Sequence, residues 1–415
     1  MLERSTAPDD GGMGPGTAES ADGHSPPQPC KPGSRPHPST GGTTLMRILA
    51  RQAGAFAAAA VLPLLLASCR DEPTATGTPP AGPSGSAPST AAVSAAFDKP
   101  LKPEGEVNIK IITNGISPFW ESMGKGMEEM RAELGCKATW QGPDPADNNA
   151  QKQVFENALA AGVDAIAVSP IEADAFAPVI DSAIDKGVPV ITFDSDSPKS
   201  KRLAYIGTNN YEAGKRAGEA AVKLFPHGAR MVAFVGNMSA QNARDRYQGF
   251  LDAVKGHNIE MIQDPFEDNK DVTGRARTNV ADAITKHGDK INGFLGLYSY
   301  NGPAIVDEVL KAKIRDRVKI ICFDGEPKTL ENLRRGLVDV TVVQKPFEFG
   351  RLSTQLLYLT CRKGFSAALE EMKPQLESVG MKVDGNIIDT GVEVVTPENA
   401  GPFLQKLKEK GLTST

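Results

Sequence analysis

The sequence predicts an α/β protein whose parallel sheets are divided between two doubly wound lobes. Three observations carry that expectation. From Val107 onward, short apolar runs alternate with stretches of helical periodicity, the pattern of repeated βαβ units. Several runs, V-K-I-I-C-F among them, are apolar on both faces, as strands covered by helices on both sides must be. Roughly ten such strands exceed what one open sheet comfortably carries, so two lobes with separate cores are expected rather than a single large sheet or a closed β/α barrel.

Taken in order, V-N-I-K-I-I-T reads as the first strand and Pro118 to Leu134 as the first helix, with proline where a missing N–H costs nothing. Lys137 to Gln141 is a strand and 148–161 a helix. The apolar run D-A-I-A-V-S-P and a helix ending at Ile184 follow, then the strand V-P-V-I-T-F-D. L-A-Y-I-G-T leads into a helix over 211–224, R-M-V-A-F-V-G into 241–255, and I-E-M-I into 272–287. I-N-G-F-L-G-L-Y is paired with 302–312, V-K-I-I-C-F-D with 328–335, and V-D-V-T-V-V-Q with 348–363. Residues 386–395, N-I-I-D-T-G-V-E-V-V, read as one late strand outside this rhythm, suited to a final crossing between lobes.

The N-terminal part is different in kind. Residues 1–45 are rich in Pro, Gly, Ser and Thr without hydrophobic period, and read as disordered or as an over-long start. Met46 then opens a secretory pattern: Arg47 and Arg51, an apolar run from Ala53 to Leu66, and small residues before Cys69. The run is shorter than the roughly 20 residues a bilayer span needs. Leu66-Ala67-Ser68-Cys69 resembles the bacterial lipobox, which implies a signal peptide over 46–69, lipidation at Cys69 and anchoring to a bacterial membrane through acyl chains. Residues 70–104, rich in Pro, Thr, Ser, Gly and Ala, read as a flexible tether.

The composition excludes several functions. Net charge is −5 with no basic block, which argues against a nucleic-acid partner. The five cysteines have no metal spacing, and Cys136, Cys322 and Cys361 read as small core residues. His227, His257 and His287 are dispersed, and no nucleophile or phosphate-cradling motif is present, so neither an enzyme nor a metal or other cofactor is expected.

Ligands of open α/β sheets bind outside the carboxyl ends of the strands. Those ends carry Thr113, Asn114, Ser117, Phe119 and Trp120; Asp194, Ser195 and Asp196; Asn209 and Asn210; Asn237 to Asn242, then Arg244 and Arg246; Tyr298, Tyr300 and Asn301; Asp324, Gly325 and Glu326; and Gln344 and Lys345. Carboxylates accept from hydroxyls, arginine and amides donate back, and aromatic faces cover C–H surfaces, so the set suits a neutral polyhydroxylated ligand. Alternatives stand beside this reading. Asp194 and Asp324 also suit helix caps, although both end a strand in [TC]-F-D; Asn301 is a good N-cap. Arg244 and Arg246 lie about 200° apart on a helix, so only one can face a cleft. Phe119 and Trp120 differ by about 100°, so one faces the ligand while the other packs or stacks too.

The stretches N-G-I-S-P-F-W, V-P-V-I-T-F-D, A-Y-I-G-T-N-N-Y-E-A-G, N-A-R-D-R-Y-Q-G-F, I-C-F-D-G and T-V-V-Q-K-P, in that order, resemble the periplasmic sugar-binding proteins of ABC importers. The likeness is to the ribose- and galactose-binding type, related to the ligand domain of LacI-type repressors, and runs from about Val107 to Val395. It implies a type I periplasmic binding protein fold, with two lobes joined by a three-strand hinge crossing near 207–209, 343–345 and 385–390. Lobe 1 would then hold 105–208 plus 345–385, and lobe 2 would hold 209–344 plus 386–415. It further implies sugar contacts at Thr113, Ser117, Phe119, Trp120, Asp194, Arg246, Asn269, Tyr300, Asp324 and Gln344, with Arg246 the arginine turned inward. Ribose binders have Arg where this chain has Ser195, which argues against ribose itself. The implied protein is a monomeric extracytoplasmic receptor that closes on a pentose, hexose or polyol and delivers it to a membrane permease. The alternative is a sensor for a membrane kinase or chemoreceptor.

Overall fold

The computed structural model describes residues 95–144, 146–269, 271 and 274–415. The expectations for residues 1–45, for a signal peptide over 46–69 with lipidation at Cys69, and for most of the tether over 70–104 fall outside the described residues.

The first sheet is built from β1 (Asn108–Ile112), β2 (Lys137–Gln141), β3 (Ala165–Val168), β4 (Val190–Phe193) and β5 (Tyr205–Gly207). It is completed late in the chain by β12 (Lys382–Asp384) and β13 (Ile387–Asp389), in the order β12-β13-β5-β4-β3-β1-β2. The second sheet contains β6 (Ala229–Val235), β7 (Ile259–Met261), β8 (Phe266–Glu267), β9 (Gly293–Gly296), β10 (Lys319–Phe323), β11 (Val340–Val343) and β14 (Glu393–Val395). Its order is β14-β11-β10-β9-β6-β7, with β8 also on β6. Pairing is parallel except for β12 on β13 and β14 on β11. The central strands β3, β4, β9 and β11 are buried at every position, whereas edge strand β2 alternates. Continuous Val, Ile, Leu and Phe runs form strands because helices cover both faces.

Eleven helices cover these sheets among the described residues: α1 (Pro118–Leu134), α2 (Asn148–Ala160), α3 (Ala173–Asp185), α4 (Asn210–Leu224), α5 (Gln241–Val254), α6 (Arg275–His287), α7 (Asn301–Lys311), α8 (Pro327–Arg334), α9 (Pro346–Lys363), α10 (Phe365–Ser378) and α11 (Ala400–Glu409). Asp147 caps α2, accepting from Asn149 N and Ala150 N, both at 2.9 Å. The last two helices were not expected; they follow after the strand–helix alternation has ended. One lobe core gathers β1, β3, β4 and β5 with α1, α9 and α10, and the other gathers the second sheet with α4, α5 and α7.

Each lobe contains one helix pair packed through facing glycines. A Cβ on Gly126 of α1 would lie 1.9 Å from Phe347 O, and one on Gly350 of α9 would lie 2.0 Å from Met123 O. In the second lobe, a Cβ on Gly214 of α4 would lie 2.0 Å from Arg246 O, and one on Gly249 of α5 would lie 2.0 Å from Tyr211 O. Only glycine lets the backbones approach this closely.

The chain crosses between lobes at 208–209, 344–345 and 390–392. The last crossing comes later than expected, and the single strand expected over 386–395 is two. β13 pairs with β5 in the first sheet, then Gly391 at φ 73° turns the chain into β14 on β11. Residues 386–389 therefore belong to the first lobe. The end of the expected tether is also not free. Phe97 is 2% exposed in the first-lobe core, and Leu101 N and Lys102 N donate to Cys361 O at 3.0 and 2.9 Å. Arg362 donates to Lys102 O and Gly105 O at 2.8 and 2.6 Å, and Lys102 pairs with Asp164 at 2.8 Å. A single buried aromatic ring and a row of backbone bonds fix what composition alone reads as linker.

Candidate functional site

A cleft of about 550 Å³, partly open to solvent, lies between the carboxyl ends of the two sheets. The first lobe contributes the turn after β1 and the start of α1. Ser117 sits at the N-cap in extended conformation without a side-chain cap bond, and Pro118 begins the helix. Phe119 and Trp120 both line the cleft and both are buried, with ring centroids 4.8 Å apart in an edge-to-face arrangement. Phe119 packs on Phe349 at 6.4 Å and Trp120 on Phe193 at 5.8 Å. Two neighbouring aromatics can share the cleft because each has an aromatic neighbour behind it.

The two carboxylates are presented by one repeated device. β4 ends in Thr192-Phe193-Asp194 and β10 in Cys322-Phe323-Asp324; the aspartates have φ of 59° and 65°. The left-handed backbone region is tolerated by Asp better than by most residues, and it turns each carboxylate out of the strand. Asp194 N donates to Ile206 O at 3.1 Å, and Asp324 N donates to Val342 O at 2.8 Å. Asp194 accepts from Ser169 Oγ at 2.8 Å and, across the cleft, from Asn242 Nδ2 at 3.4 Å. Asp324 accepts from Gln344 Nε2 at 3.0 Å. Burial pushes the Asp324 carboxyl above its ordinary range, against the opposing pull of Arg246 and Gln344.

Arg246, on α5, is 2% exposed. Its Nε donates to Asn210 Oδ1 and its Nη1 to Leu297 O, both at 2.8 Å, and its guanidinium carbon lies 4.8 Å from the Phe323 ring centroid. Its Nη2 has no partner among the described residues, nor does Gln344 Oε1. Both residues line the cleft. A buried polar atom without a partner costs about 1–3 kcal/mol, so these two atoms call for a polar ligand. Arg244 is used differently: it bonds Met238 O, Ser239 O and Gln241 Oε1 at 3.1, 2.6 and 2.7 Å, outside the cleft.

Tyr298 and Tyr300 form the second-lobe wall, 6.2 Å apart and edge to face. Burial raises both phenols, which keep their protons and donate: Tyr298 to Asn242 Oδ1 at 3.2 Å and Tyr300 to Asp268 Oδ1 at 2.7 Å.

The cleft thus brings together Ser117, Phe119, Trp120, Asp194, Arg246, Tyr300, Asp324 and Gln344. It does not include five other expected residues. Thr113 is fully buried and bonds Gly115 O at 2.7 Å. Ser195 is fully buried beside the cleft, with its Oγ unpartnered. Asn209 caps α4 by accepting from Glu212 N at 3.1 Å. Asn269, at φ 52°, lines a separate groove with Asp147 and Asn237. Asn301 is spent inside the lobe, accepting from Tyr298 N at 2.9 Å and donating to Asp268 at 3.1 Å. Asn114, Asn242 and Tyr298, which also stand at strand ends in the sequence but are not among the expected contacts, line the cleft too, together with Gly115, Ile116, Ala146 and Ser299, which the sequence did not single out. Asn242 had a signal, since it lies one helical turn before Arg246 and shares its face.

A profile for the periplasmic binding protein domain matches residues 111–364. The chain belongs to the periplasmic binding protein family. It is a binding protein rather than an enzyme, and the family is extracytoplasmic. Among characterised relatives, the xylose/arabinose-binding protein XylF of Sulfolobus acidocaldarius is 24% identical over 325 residues, covering 71% of this chain and 72% of the relative. The ribose import binding protein RbsB of Bacillus subtilis is 26% identical over 266 residues, covering 61% and 83%. Among solved structures, XylFII aligns with a TM-score of 0.61 at 27% identity over 71% of this chain and 99% of the other. A solute-binding protein from Burkholderia graminis in complex with D-arabinose aligns with a TM-score of 0.62 at 26% identity over 72% and 98%.

Proposed function

We propose that this periplasmic binding protein captures a neutral monosaccharide or polyol between its lobes and hands it to an ABC transporter permease. The observation that carries this reading is the composition of one cleft: carboxylates and aromatics with buried hydrogen-bonding atoms of Arg246 and Gln344 left without partners. Asp194 and Asp324 accept hydroxyl protons, Arg246 donates back, and Phe119 and Trp120 cover the C–H side of a sugar ring. Two buried carboxylates beside one arginine disfavour an anionic ligand. The relatives named for xylose, arabinose and ribose, and the neighbour holding D-arabinose, support a sugar.

The mechanism is hinge closure of the kind that periplasmic binding proteins exemplify. A ligand that touches both lobes binds the closed state better and shifts the population toward it. Lipidation at Cys69 would hold the receptor at the membrane and raise its effective concentration at the permease.

A thermal-shift screen of the full chain against pentoses, hexoses, polyols and sugar acids tests the ligand class. A neutral sugar or polyol is expected to raise the midpoint through mass action, and sugar acids are not. A response confined to acids, or none at all, sinks the proposal. For the anchor, Cys69→Ser is expected to move the protein from the membrane fraction to the soluble fraction; unchanged fractionation refutes it.

A further inference from the structure

We propose that the segment after α11, residues 410–415, is a positioning strap tying the aromatic half of the cleft to its carboxylate half. Its purpose rests on the two-lobe capture reading; its contacts do not.

By packing, the segment belongs to the second lobe. α11 lies on α8, and Leu412 is 7% exposed in the second-lobe core. Thr415 N donates to Gly325 O at 3.1 Å, and Thr415 Oγ1 accepts from Gly325 N at 2.9 Å. Thr415 is thereby seated on the residue next to Asp324. A Cβ on Gly325 would lie 2.7 Å from Thr415 Cγ2, so glycine leaves the room this seat requires.

From that seat the segment reaches the first lobe. Ser122 Oγ donates to Ser414 O at 3.1 Å, Ser414 Oγ donates to Pro118 O at 3.1 Å, and the two hydroxyl oxygens lie 3.0 Å apart. Lys125 Nζ donates to Gly411 O at 2.7 Å, and Lys410 Nζ lies 3.3 Å from Glu348. Pro118, Ser122 and Lys125 are on α1, on the turns that carry Phe119 and Trp120. One short segment therefore touches the helix holding the rings and the strand end holding a carboxylate. Ser122 and Ser414 are 3% and 2% exposed, so separating the lobes here would strip partners from buried hydroxyls. Neutral hydrogen bonds contribute modestly, which suits an element that biases an open–closed equilibrium without freezing it.

Trp120 serves as the reporter once Trp140, the other tryptophan, is replaced by Trp140→Phe. In that background, Ser122→Ala with Ser414→Ala is expected to increase acrylamide quenching of Trp120 severalfold, because losing these bonds shifts the open fraction by on the order of tenfold. The thermal midpoint should change little, which separates positioning from a merely structural role. Ser122→Cys with Ser414→Cys supplies the converse test in the full chain. Oxidation is expected to join the two thiols and depress quenching below the parent level, and reduction to restore it. The proposal is overturned if the double alanine variant quenches like its parent, if the cross-link forms without changing quenching, or if it does not form. Should the alanine variant fail to fold, the oxidised and reduced cysteine variant gives the answer within one molecule. Quenching needs no sugar, so this result can stand or fall apart from the sugar screen.

Discussion

At the scale of the residue, Asp194 and Asp324 show how a short pattern becomes a site. Phe-Asp at the end of an apolar strand puts the ring into the core and, through positive φ, turns the carboxylate into the cleft. That much was legible, because the motif occurs twice. Thr113 and Ser195 sit beside cleft residues but are turned into the lobe: Thr113 Oγ1 donates to Gly115 O inside the first turn, and the positive φ of Asp194 sends its carboxylate to the cleft while Ser195 stays fully buried. Asn209 and Asn301 were claimed by backbone groups, as asparagine at a helix start often is. Asp194→Asn is expected to lower sugar affinity by about tenfold or more, since charged hydrogen bonds contribute roughly 1.5–3 kcal/mol each; calorimetric titration measures it. Trp120→Ala should weaken binding comparably without unfolding the chain, and near-parent affinity would remove the ring from the site. Asp324 adds a pH dependence. Its raised folded pKa means that its contribution to stability is full below the unfolded carboxylate value of about 4 and is lost as pH rises through the raised value. Sugar hydroxyls bond the ionised form, so affinity should fall as pH drops through that same range. Asp324→Asn should flatten both profiles, read as thermal midpoint and affinity against pH.

At the scale of the element, strands and most helices follow from periodicity, whereas close approaches do not. The glycines of α1, α4, α5 and α9 look like ordinary helix-weakening residues until a partner backbone is seen against them. Gly126→Val is expected to cost about 1–3 kcal/mol or more through overpacking against Phe347, visible as a lower thermal midpoint. α10 carried its own signal, with Phe365, Ala368, Met372 and Leu376 on one face, but it follows α9 without an intervening strand and so escaped a reading guided by alternation. The segment from Phe97 to Gly105 is harder. One aromatic in polar sequence gives little periodic signal, yet Phe97→Ala should destabilise the first lobe by about 3–5 kcal/mol and free the segment for proteolysis.

At the scale of the molecule, two sheets with matching strand orders, each with one strand leading into Phe-Asp, face one another across three crossings. Saturating sugar should contract the radius of gyration measured by small-angle scattering, and no contraction would argue against closure. The glycine-seated helix pairs would couple that closure to the cleft. The crossing at 208–209 runs directly into α4, which is interlocked with α5 and its Arg246; the crossing at 344–345 runs directly into α9, which is interlocked with α1 and its Trp120. Each of these two crossings thus leads into a stiff lever whose far arm holds a cleft-lining side chain. Side chains on the cleft faces of α1 and α5 can be exchanged to suit a different sugar while the glycine faces, and the stroke they transmit, stay unchanged.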